Sequence, residues 1–115
     1  MVNTASVNGK PIAKAKTSKR RSRLRFEILN AFVDSGMVGL SRAELVAWIA
    51  VYRDTGRDGT ARVSLADLAR RGGMDRRTAH RAVGRLACRK MLQVIRPGGL
   101  NRGPSVYRVF PYPMV

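Results

Sequence analysis

The chain has 115 residues, 44% of them apolar, which is enough for one compact domain with its own core and too few for two ordinary domains. Twenty-three Lys and Arg against seven Asp and Glu give a formal charge of +16, so the expected partner is anionic. A membrane span would need about 20 consecutive apolar residues, whereas the longest apolar run is Leu45–Tyr52. Residues 1–25 are polar and basic without the apolar stretch of a secretory signal, and the expected location is the cytoplasm, at the nucleoid. Cys88 has no cysteine partner, and with His80 the only histidine no metal site of the usual three or four ligands can be assembled. The seven acids are scattered over predicted caps and turns, with no Gly-rich phosphate loop and no paired carboxylates at useful spacing, so neither a cofactor nor catalysis is expected.

Residues 1–25 carry a charge of +8 and lack the spaced apolar residues that offset ordering entropy, so residues 1–23 are expected to form a disordered basic tail. The folded domain is expected over residues 24–110, with 111–115 as a C-terminal tail. Its first helix runs from Leu24 to Ser35 on the spacing of Leu24, Phe26, Ile28, Leu29, Phe32 and Val33, with Gly36 as the stop. Ser41-Arg42-Ala43-Glu44 has the S-x-x-E form of a capping box and opens a second helix, Arg42 to about Asp54. Leu45, Trp48, Ile49 and Tyr52 form a large apolar stripe on it, and Ala43, Val46, Ala47, Ala50 and Val51 make the other side apolar too. Such a helix is covered on two sides, by the core on the large face and the first helix on the small one, or else by a dimer contact.

Gly56–Gly59 marks a turn, and Thr60 to Val63 suits a short strand. Ser64 with Asp67 starts a third helix whose apolar face is Leu65, Leu68 and Ala69 and which ends at Gly72-Gly73. Asp75 caps a fourth, through about Lys90, with Ala79, Ala82, Val83 and Leu86 as its buried stripe. Leu92 to Arg96 and Ser105 to Phe110 are strands around the Gly, Pro and Asn cluster of residues 97–104, which reads as a hairpin with a long flexible tip. The expected fold class is mainly α with a small β-hairpin.

The segment Ser64–Leu86 (SLADLARRGGMDRRTAHRAVGRL) resembles the bacterial winged helix-turn-helix family, of the kind found in transcriptional regulators and in plasmid or phage replication proteins. The resemblance covers about residues 41–110. It implies a winged helix-turn-helix fold, here with an extra N-terminal helix, and a double-stranded DNA partner. Ala69 would be the small residue that lets the two helices cross closely, and Gly73 the turn residue able to take a left-handed conformation. Met74 would plug the turn from inside, and Asp75 would cap the second helix, which in this motif enters the major groove.

With Ala79 at the centre of the buried face and 100° per residue, Arg77, Arg81, Gly84 and Cys88 point most nearly opposite, flanked by His80 and Arg85. Arg77 and Arg81, one turn apart, are the expected base readers, because a guanidinium bonds bidentately to guanine O6 and N7. His80 is either a further base contact or a solvated neutral imidazole. Arg76, Thr78, Arg85 and Arg89 are expected on phosphates, joined from the hairpin by Arg96, Asn101 and Arg102. Gly84 either marks close approach of backbone to DNA or is simply tolerated. The leading expectation is a transcriptional regulator, acting alone, as a homodimer or within a larger complex. Its alternatives are a replication-protein module and, further off, an RNA-binding or protein-adapter role.

Overall fold

The computed structural model describes residues 10–99 and 101–114, as α1 (Lys10–Ala31), a π-helical turn (Phe32–Gly36), α2 (Arg42–Arg53), β1 (Ala61–Val63), α3 (Leu65–Gly72), α4 (Arg76–Cys88), β2 (Leu92–Arg96) and β3 (Ser105–Val109). The strands form one antiparallel sheet in the order β1-β3-β2. Residues 1–9 of the expected tail and Leu100 of the hairpin tip lie outside the described residues. None of the described helices is long and apolar enough to cross a membrane.

Trp48 is the centre of the core. Fully buried on α2, it stacks on Phe32 with ring centroids 3.7 Å apart and planes 3° from parallel, and lies 5.0 Å from the Tyr52 ring. Its indole N–H donates to the Phe110 carbonyl at 2.9 Å, which ties the end of β3 to α2. Around it pack Ala47 and Val51 of α2, Leu68 of α3, Ala79, Ala82 and Leu86 of α4, Val63 of β1, and Met91, Leu92 and Tyr107. In β2 only Leu92 is buried and in β3 only Tyr107, so β2 beyond Leu92 faces solvent while the middle of β3 rests on the core.

Each helix start predicted from a capping residue is present. Ser41 Oγ accepts from the Glu44 amide at 3.2 Å while Glu44 Oε1 accepts from the Ser41 amide at 3.4 Å, completing the capping box. Ser64 and Asp75 accept from the amides three residues on, at 3.0 and 2.7 Å. At the end of α3, Gly73 takes φ +64°, and the Met74 amide donates to the Ala69 carbonyl at 3.0 Å. Gly72 is a site of close approach: a Cβ there would lie 2.5 Å from Met74 Cε and 3.0 Å from Val46 Cγ1. Arg71 then grips Asp54 with both terminal nitrogens, at 3.2 and 2.6 Å, fastening the end of α3 to the end of α2.

The N-terminal part differs from expectation. The first helix begins at Lys10 rather than Leu24, so residues 10–23 are helical where the sequence suggests a disordered tail. Packing does not explain this, since Lys19–Leu24 is exposed throughout. The physical reason is propagation: Lys, Arg and Ala have good helix propensity, and extending a helix already nucleated by packing is far easier than starting one. The packed part of α1 is held by reciprocal bonds. Arg25 lies over the Tyr52 ring and donates to the carbonyls of Tyr52 and Thr55, each at 3.1 Å, while the Tyr52 hydroxyl donates to the Arg25 carbonyl at 2.7 Å. Arg25 thereby caps the C-terminal end of α2, where a cation is favoured.

Four residues of the expected apolar stripes lie outside the core: Leu24, Phe26 and Val33 of the first helix are 55%, 64% and 50% exposed, and Ile49 of α2 is 47% exposed. Gly36 ends the first helical segment as expected, but by contact rather than by a left-handed turn: a Cβ would fall 1.8 Å from the Pro111 carbonyl oxygen. The hairpin tip is also tighter than the glycine-rich sequence suggests. The Gly99 amide donates to the Gly103 carbonyl at 3.2 Å, the Arg102 amide to the Gly99 carbonyl at 3.0 Å, and the Gly98 amide to Ser105 Oγ at 2.8 Å.

Candidate nucleic-acid interface

Helix α4 is sorted by face. Ala79, Ala82, Val83 and Leu86 are buried, the stripe expected from the 3.6-residue period. The exposed remainder is Arg76, Arg77, His80, Arg81, Gly84, Arg85 and Cys88, with Thr78 half-buried, and the helix contains no acid. Arg77 and Arg81 thus stand one turn apart on the side away from the core, near the start of the helix. Gly84 shares that face, and a Cβ there would meet nothing within 4 Å. Gly84→Ala should therefore stabilise the protein by up to about 1 kcal/mol, the helix propensity difference, measured as a higher urea midpoint.

Asp75, the one acid beside these arginines, is spent on the cap. The Thr78 amide, then the Thr78 hydroxyl, with Arg77 and Arg81 adding to them, hold its carboxyl below the ordinary Asp value. A carboxyl depressed by folding contributes stability above its unfolded value and loses it as pH falls through the folded one, so the cap is intact at neutral pH. The acid of α3 is occupied in the same way: Asp67 pairs with Arg70 and, at 2.9 Å, with Arg71.

A buried carboxylate under the far end of α4 went unread in the sequence beyond its capping role. Glu44 is only 1% exposed, and besides its cap bond it reaches Arg85 of α4 and Arg89 just past its end: Arg89 Nε at 3.2 Å from Oε1 and Arg85 Nη1 at 3.7 Å from Oε2. Arg89 also donates to the Gly39 carbonyl at 3.0 Å. The residue expected on a phosphate is therefore already held between the capping box and the turn before α2. Arg85 is paired less closely and remains 65% exposed. Only the S-x-x-E spacing signalled Glu44; nothing local marks a partner 41 or 45 residues away.

Two clefts bring the remaining predicted residues together. Arg76 lines one of about 230 Å³ between the start of α3 (its cap Ser64, then Leu65 and Ala66) and hairpin residues Gly98, Gly99, Gly103 and Ser105. Arg96, Pro97 and Arg102 line a second one, on the hairpin. Asn101 sits in the tip at φ +66°, a conformation Asn tolerates better than most residues, so its position is explained by the turn itself. Ala69, in α3, is buried and Met74, between α3 and α4, is half-buried against the core. Cys88 is exposed.

Among the described residues no three His, Cys, Asp or Glu side chains come together as a metal site. Compared with known proteins, the sequence matches no family model and no curated relative.

Proposed function

We propose that this chain is a winged helix-turn-helix protein that binds double-stranded DNA and acts as a transcriptional regulator. In this reading α3 and α4 form the helix-turn-helix, α4 lies in the major groove, and the β2–β3 hairpin is the wing. The supporting observation is the sorting of α4: four buried apolar residues on one face, and on the other four arginines and a histidine with no acid among them. A helix of about 10–12 Å diameter fits the major groove, and the arginines on its first turns would meet base edges. Arg76, which lines the cleft against the hairpin, and Arg96 and Arg102 on the hairpin itself would meet phosphates.

Fluorescence anisotropy with a labelled duplex across a salt series tests the reading. The affinity should fall steeply with salt, by about 10³ or more between roughly 50 and 200 mM if six or more phosphates are neutralised. A duplex affinity that is absent, or exceeded by that for single-stranded RNA, would overturn the reading.

Glu44→Gln separates structure from binding. The variant keeps the capping geometry but removes the charge that Arg85 and Arg89 share. Because both arginines reach solvent, the stability loss should be modest, about 1–2 kcal/mol by thermal melting. Duplex affinity should rise, since phosphate no longer competes with a carboxylate for the same guanidiniums. Gly84→Ala should act in the opposite sense on binding: a methyl between α4 and the groove floor weakens duplex affinity while the protein becomes more stable.

A further inference from the structure

Phe26 and Ile49 are large apolar side chains that the core leaves out, and they face each other. Ser22, Phe26 and Leu29 of α1 form one i, i+4, i+7 line, and Ile49, Tyr52 and Arg53 of α2 form the line opposite. Between them runs an open trough of about 370 Å³, its floor made by Phe26, Leu29, Ile49 and the Tyr52 ring. It shares no residue with α3, α4 or the hairpin.

The charge at the trough is of one sign. Its only charged lining residues are Arg25 and Arg53. Arg25 is fixed in place by the Tyr52 and Thr55 carbonyls, and Arg53 is exposed with no ion pair among the described residues. Lys19, exposed one turn before Ser22 on the same line of α1, adds a third cation to that helix. A second copy of the chain would bring these cations against one another, and juxtaposed like charges are costly at an interface. An apolar trough between two helices with a cationic rim suits an amphipathic helix with apolar residues at i, i+3, i+4 and i+7 and acids beside them.

We infer that the α1–α2 trough is a docking site for an acidic amphipathic helix of a partner protein. This surface would let the chain recruit that partner, and the inference stands independently of DNA binding at α4.

The probe is a pair of synthetic helical peptides with the same leucine pattern, one flanked by Glu and one by Lys, titrated into the full chain. The Glu peptide should bind saturably and shift the methyl resonances of Leu29 and Ile49. Phe26→Ser and Ile49→Ser, both at exposed positions and neutral in charge, should each weaken it by about tenfold with melting unchanged. Arg53→Gln should weaken it severalfold and flatten its salt dependence. Duplex DNA should not displace it. The inference is overturned if the Glu peptide fails to bind or its shifts map to α4 and the hairpin. It is also overturned if the serine variants bind it as well as the parent, or if the Lys peptide binds equally. A parent dimer in sedimentation that Ile49→Ser dissociates would assign the trough to a second copy instead.

Discussion

Replacing Arg77 or Arg81 by alanine should reduce affinity for a preferred duplex by about 1–3 kcal/mol, roughly 5- to 150-fold, while changing affinity for unrelated duplexes far less. Both side chains are exposed on the face of α4 opposite Ala79 and Ala82, one turn apart and within the first two turns, so neither supports the fold. The expected signature is lost discrimination at one or two base positions with an unchanged melting temperature. Alanine at Arg96 or Arg102 should behave otherwise, weakening every duplex alike and lowering the salt slope by about one unit per lost phosphate contact. Parallel titrations of preferred and scrambled duplexes distinguish the two classes of residue.

Trp48→Ala should destabilise the protein by about 3–5 kcal/mol, the largest single loss expected in this chain. Against a total of about 5–15 kcal/mol for ordinary domains, the variant would be close to unfolding at room temperature. The indole is fully buried, stacked on Phe32 from the π-helical turn, and bonded to the Phe110 carbonyl beyond β3, so its removal frees α1 and the C-terminal strand together. Trp48→Phe divides the contributions. It retains the stack and leaves the Phe110 carbonyl without its donor, for an expected loss of about 1–3 kcal/mol in urea denaturation.

The parts of the fold legible in the sequence were those set by contacts three or four residues apart. The stripe Ala79, Ala82, Val83 and Leu86 needs only a 3.6-residue period, and the caps at Ser41, Ser64 and Asp75 need only a side chain within reach of the next turn's amides. The same period fails on α1 because that helix carries two apolar lines. Ile28, Leu29 and Phe32 pack on the core, while Phe26 turns to the trough that Leu29 also lines, and periodicity cannot say which apolar residues have a partner. Other features depend on residues far along the chain. The short strand at Thr60 to Val63 was readable, but its pairing with β3 through Ala61 and Tyr107 was not. Glu44 reads as a helix cap, yet its second role beneath Arg85 and Arg89 exists only once α2 and α4 are packed. The π-helical turn has no sequence marker of its own; it brings Phe32 onto Trp48 and Gly36 against Pro111.

DNA reading by α4, as proposed, is open to selection from a randomised duplex pool at near-physiological salt. Duplexes with an enriched motif should be retained, and the enrichment lost when Arg77 and Arg81 are both alanine; a palindromic motif would indicate two copies on two half-sites. Retention without any enrichment, or no retention at all, would contradict it.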